Sequence, residues 1–206
     1  VNLTYPEELE LEKNKLILSK ILGKNQVHID VQKFSLIEDF DSNLSYISCD
    51  LKFVFKGKEK TINIEGTGKG TIDALLNGML AYFSTDYVSL QMIQLCDFLV
   101  NVDFKKSRNM INTDAPVEVK IALKGDGLAK FYFKARSNSL VKAGIKAVCD
   151  AIEYLINAEI AVLQLREDIL LAKKRQRTDL ENNYVCMLLE LVKFIPYSEA
   201  IKKKRN

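Results

Sequence analysis

Two stretches of this chain carry the same order of predicted elements at one constant spacing. Shifting the sequence by 68 residues lays Gly57 on Gly125 and makes two Lys-Gly turns coincide. The same shift sets Ile62 and Ile64 against Lys130 and Tyr132 and brings Ile72 onto Leu140, without a gap. Each copy reads strand, turn, strand, loop, helix. In the first, alternation predicts strands over 46–55 and 61–65 around Lys56-Gly57-Lys58-Glu59, and Ile72, Leu75, Leu76, Met79, Leu80 and Phe83 fall at helical spacing. In the second, strands 117–123 and 128–135 flank Lys124-Gly125-Asp126-Gly127, and a helix opens at Leu140. Matched order at one offset argues for an internal duplication, and hence for an α+β fold made of two related units.

The copies differ at the junction of second strand and helix. The first reads Glu65-Gly66-Thr67-Gly68-Lys69-Gly70-Thr71-Ile72-Asp73-Ala74. Three glycines in five residues permit positive φ and close approach of a ligand to the backbone. Thr71 is placed to cap the helix, and Asp73 complements its dipole. The backbone donors converging there suit a carboxylate or a phosphate. At the 68-residue shift the second copy has Lys134, Arg136 and Asn138 in place of the glycines, so the candidate site belongs to the first copy. The alternative is that the glycines only form a tight strand-to-helix turn. A Walker A loop is excluded because Lys69 precedes Gly70, and a dinucleotide fingerprint because the spacing is G-x-G-x-G after a hairpin.

The flanks are mainly helical. Thr4-Tyr5-Pro6-Glu7 has a capping-box pattern, and the apolar spacing predicts a helix over 6–22 closed by Gly23. One strand or two short ones follow over 27–40, and 87–100 reads as strand-like. The helix from Leu140 is long: Val141, Ile145, Val148, Cys149, Ile152, Leu155 and Ile156 line one face, and the pattern continues to Lys173-Lys174-Arg175. Thr178-Asp179-Leu180-Glu181 starts a last helix through 194, ended before Pro196, and Lys202-Lys203-Lys204-Arg205 is a solvated tail.

Composition narrows the function classes. Apolar residues at 48% and charged residues at 28% describe a globular chain long enough for a proper core. A net charge of +3 by itself calls for neither nucleic acid nor membrane, and the basic clusters lack the interleaved aromatics of an RNA binder. No apolar run reaches the ~20 residues of a membrane span, and the first residues lack a signal-peptide pattern, so a cytoplasmic protein is expected. Cys49, Cys96, Cys149 and Cys186 are isolated and read as buried apolar fillers. The single histidine, His28, sits at the entry to a strand. No catalytic triad, metal site or cofactor site can be built from this set.

The run Lys60–Ala74 resembles the G-T-G-N-G-P-[IV]-D-A segment in the C-terminal regulatory (LeuA allosteric, dimerisation) domain of α-isopropylmalate and citramalate synthases. The stretch from Ala135 to Val148 is similar to that family's second motif, a small-residue loop followed by an alanine-rich helix. Together they cover residues 34–158. The resemblance implies duplicated βββα units with pseudo-twofold symmetry, here with an N-terminal helix and extra C-terminal helices. The implied division is 1–33 as helix and linker, 34–158 as regulatory domain (repeats about 44–100 and 113–158), and 159–206 as helical extension.

The resemblance further implies a homodimer that binds a pathway end product, leucine or isoleucine, and so inhibits an acetyl-CoA-dependent synthase. Its effector pocket would use Gly68, Lys69, Gly70, Thr71, Ile72 and Asp73, with Gln91 and Met92 on the following strand as floor. Lys69 and Thr71 stand where the family has a small polar residue and proline, and 100–113 lacks the family's G-x-x-A pattern. The catalytic barrel with its H-x-H metal motif is absent from the chain, so no catalysis of its own is expected. The expected function is a 2-isopropylmalate synthase regulatory and dimerisation domain in feedback control of leucine synthesis. The alternatives are a structural dimerisation module with a decayed site and a nucleic-acid binder acting through the basic clusters.

Overall fold

The computed structural model describes residues 6–102, 115–125 and 130–193. In chain order these form α1 (Pro6–Leu22), a 3-10 turn (Gly23–Asn25), β1 (His28–Asp39), β2 (Leu44–Phe55), β3 (Lys58–Gly68) and α2 (Thr71–Phe83). A second 3-10 turn (Val88–Met92), β4 (Gln94–Val102), β5 (Val117–Lys124), β6 (Phe131–Ser137), α3 (Leu140–Lys174) and α4 (Thr178–Leu191) complete them. β1-β2-β3 and β4-β5-β6 are separate antiparallel sheets. The fold is α+β: two βββα units, preceded by a helix and extended by helices at the C-terminal side.

Local chemistry explains the elements. Lys56 and Gly57, at φ 51° and 72°, are the two central residues of the β2–β3 hairpin, and the twist of such a turn matches that of the strands it joins. Gly23 at φ 53° ends α1, as its position after the apolar run predicts. Ser139 caps α3 by accepting from Lys142 N.

The duplication is present, but with a different register from the gap-free 68-residue shift. In β1 a bulge lies between Val31 and Lys33, which face Leu51 and Asp50; in β4 a bulge lies between Leu95 and Asp97, which face Leu123 and Ala122. Matching these bulges puts Leu51 on Leu123, whereas the third strands match Ile62 to Phe131, because each of these pairs is joined across its own hairpin. The offset is thus 72 residues before the hairpin and 69 after it, and the second hairpin is three residues shorter. With this register the buried positions agree: Ile47, Cys49, Leu51, Ile62 and Ile64 map to Val119, Ile121, Leu123, Phe131 and Phe133. Gly66, Gly68 and Gly70 map to Ala135, Ser137 and Ser139, which corrects the assignment to Lys134, Arg136 and Asn138.

Both units feed one core, in which α2 packs on β2 and β3 while α3 packs on β5 and β6 and also meets β1, α1, α2 and α4. α3 runs well past the point equivalent to the end of α2, and that added length carries buried polar anchors. Asn157 receives the Val27 N–H at 2.7 Å and donates to Val27 O at 2.9 Å, completing the backbone of the chain entering β1. Glu153 accepts from Ile29 N at 2.8 Å, and buried Glu159 holds the second 3-10 turn through Ser89 N and Oγ at 2.9 and 2.6 Å. Tyr154 Oη accepts from Asn14 of α1 at 3.1 Å, and burial pushes this phenol up to about 12.

Other expectations need correction. The segment read as strand over 87–100 is a 3-10 turn followed by β4: Val88, Leu90 and Met92 alternate as in a strand, but Leu90 N and Ile93 N close turns on Tyr87 O and Leu90 O, and Glu159 of α3 holds Ser89; β4 belongs to the second sheet. The first unit starts at β1, ahead of residue 44. Cys49 and Cys149 are buried, but Cys96 is half-buried and Cys186 is exposed on α4. Thr178 is the first helical residue of α4 rather than its cap, and Arg177 precedes it paired to Asp179. The Thr4 capping pattern, Lys105, Lys106 and Arg108, the tip of the second hairpin, Pro196 and the tail Lys202–Arg205 lie outside the described residues.

Candidate functional site

The glycine-rich stretch is a strand entering a helix at very short range. Gly66 and Gly68 are ladder residues of β3, opposite Ile47 and Ser45, and neither has positive φ. A Cβ on Gly66 would be driven into the carbonyl of Ala74, and one on Gly68 into the amide of Ala74 and, at 2.6 Å, the Asp73 carboxylate. Gly78 of α2 faces back on Glu65 O in the same way. Here glycine serves close helix–strand packing, not left-handed backbone. Gly70 differs: its φ is −170°, it is the N-cap of α2, and a Cβ there would meet open space.

At this junction Asp73 reaches back and accepts the Lys69 N–H at 2.9 Å. Ala74 N closes the first turn on Gly70 O at 2.9 Å. The amides of Thr71, Ile72 and Asp73 precede the first full helical bond, so they point outward at the positive end of the dipole. Thr71, expected as the cap, is instead the first helical residue, and its hydroxyl donates to Glu38 Oε1 at 3.3 Å. Glu38 Oε2 accepts from buried Ser45 Oγ at 2.7 Å, so the end of β1 is tied to both β2 and α2. Ile72 packs on Gly144 of α3, joining the two units beside the site.

The structure brings Gly68, Lys69, Gly70, Thr71, Ile72 and Asp73 together around the start of α2. It does not bring Gln91 and Met92 there. Gln91 Nε2 donates to Ser84 O at the far end of α2, 13 residues or roughly 20 Å of helix away. Both are exposed residues of a 3-10 turn rather than the floor of a pocket. Glu38 and Ser45 are members of the site that sequence reasoning missed; only the paired register of β1, β2 and β3 reveals them.

Well-formed hollows lie elsewhere. One of about 460 Å³ separates β1 around its bulge from Lys142, Ile145, Lys146 and Cys149 of α3. Another, of about 450 Å³, lies at the β2–β3 hairpin end among Phe53, Phe55, Tyr82 and Tyr87, where the Lys60 ammonium sits 5.2 Å from the Phe53 ring centre. Burial, with Asp86 and Glu159 nearby, pushes the Tyr87 phenol up to about 12. Among the described residues no cluster of three or more His, Cys, Asp or Glu is gathered to hold a metal ion, and no helix is long and apolar enough to cross a membrane.

Two βββα units sharing one core, joined where α2 and α3 begin, define a class of internally duplicated α+β domains. The particular family is the LeuA allosteric (dimerisation) domain, whose family model matches residues 8–156, and the chain belongs to it. Its role is that family's regulatory and dimerisation role, and such a domain is not catalytic by itself. Comparison with curated proteins finds no match.

Proposed function

We propose that the chain is the amino-acid-binding regulatory and dimerisation domain of, or related to, 2-isopropylmalate synthase, giving end-product feedback control in leucine synthesis in the cytoplasm. The family match over residues 8–156 carries this reading. The effector is a branched-chain amino acid, leucine or isoleucine, bound at the start of α2. Its carboxylate takes the outward amides of Thr71, Ile72 and Asp73, and its ammonium lies toward the Glu38 and Asp73 carboxylates. Lys69 and Gly70 border the same spot. Gln91 and Met92 are not carried into this pocket. The partners are a second copy and a synthase catalytic domain, and regulation requires that the amino acid bind one arrangement of these better than another.

One observation favours a second reading, a structural dimerisation module whose site has decayed: Asp73 already accepts the Lys69 N–H, so the chain's own carboxylate occupies part of the donor set. Calorimetric titration with leucine, isoleucine and valine separates the two. The effector reading expects saturable heat for one of them at a fixed ratio to the dimer; no heat for any, with an unchanged melting temperature, supports the structural module. Gly70→Val is the matching variant. Because the added side chain meets open space, stability is expected to change by less than about 1 kcal/mol while binding weakens at least about tenfold.

A further inference from the structure

Resting on the dimerisation reading, we infer that the surface joining two copies is the apolar mouth of the second unit: the inner side of β4 together with the first turn of α3. Phe98, Val100 and Val102 alternate along β4 and face the same side as buried Ile121 and Val119 on β5. Leu140 and Val141 open α3 beside them, and these five side chains remain 37–47% exposed. In the first unit the positions equivalent to Val102 and Leu140 are Glu38 and Thr71, which touch through a hydrogen bond, so the corresponding pair here lies at one mouth. Where the first unit has a hydrogen-bonded polar cluster, the second has a bare apolar one. Phe34 and Leu36 of β1 are half-buried, whereas their equivalents Phe98 and Val100 are exposed.

Two observations and one symmetry argument make the occupant a second copy. The family is a dimerisation domain. β4 is the outer strand of its sheet, yet between Gln94 and Val102 Asp97 is its only charged residue, without the lysine or proline that keeps a solvated edge from pairing. An outer strand that meets its own copy antiparallel across a twofold axis is self-complementary, so one exposed strand closes the assembly. Apolar patches of this kind mark contact surfaces. The position also provides coupling: Gly144, one turn beyond Leu140 and Val141, supports Ile72 of the candidate effector site.

The test uses the full chain. Light scattering is expected to give twice 23.4 kDa for the unaltered protein, and Val100→Glu or Leu140→Glu to shift it to the single-chain mass by weakening association roughly 100-fold or more, since each buries an unpaired charge. A folded Val100→Glu protein that stays dimeric overturns the surface and leaves the dimerisation reading standing. A single-chain mass for the unaltered protein overturns both. Should the variants fail to fold, hydrogen exchange of the unaltered protein decides: β4 amides that lose protection on dilution support the surface, and amides indifferent to dilution overturn it.

Discussion

The two places where a third strand hands over to a helix solve one geometric problem in opposite ways. In the first unit Gly66 and Gly68 let β3 touch the backbone of α2 at Ala74, and Gly78 meets it from the helix side. In the second unit Ala135 and Ser137 take those strand positions, and Ala143 and Ala147 stand where the first helix has Ala74 and Gly78. The first handover leaves bare backbone, a glycine cap and carboxylates at its mouth; the second leaves a serine cap and aliphatic side chains. A duplicated fold can thus keep its core register while its two mouths diverge, one into exposed backbone and carboxylates and one into exposed aliphatic side chains.

The largest test of that contrast is Gly66→Ala, which should cost about 3 kcal/mol or more in urea unfolding, because its Cβ would press on immovable helix backbone. The mirror change, Ala135→Gly, should cost only about 1 kcal/mol through backbone entropy; equal costs would break the comparison. Next comes the added length of α3. Asn157→Leu leaves the buried N–H and C=O of Val27 without their partner and should lower stability by about 2–3 kcal/mol, with hydrogen exchange rising first at the start of β1. Smallest are the caps. Ser139→Ala should cost about 0.5–1 kcal/mol in the melting curve, whereas Gly70→Ser should gain a few tenths by giving α2 the cap that α3 already has.

Much of this was legible in the residues. Alternation in 46–55, the Lys56-Gly57 turn, the apolar spacing of 72–83 and the stop of α1 at Gly23 each express local physics, and the structure has them. What failed was non-local. Gapless matching paired Gly66 with Lys134, because the three-residue difference lies in the hairpin, where no side-chain pattern constrains length; paired strands and matched bulges locate it. The glycine run suggests either close approach of a ligand to freed backbone or a tight strand-to-helix turn; Gly66 and Gly68 serve the close helix without positive φ, and a close helix and a positive φ leave the same residue in the sequence. Glu38, Ser45 and the anchors Glu153, Asn157 and Glu159 required tertiary contacts, although those three anchors inside the otherwise mainly apolar stretch 151–163 of α3 are a readable signal.

The most direct measurement is amide chemical-shift mapping of the full chain during titration with leucine, repeated with isoleucine. The specialised-mouth reading predicts saturable shifts at Lys69, Gly70, Thr71, Ile72 and Asp73, with Asn138, Ser139 and Leu140 at the equivalent mouth unmoved by direct contact. Saturable shifts centred on Asn138–Leu140, or none at either mouth, would contradict it.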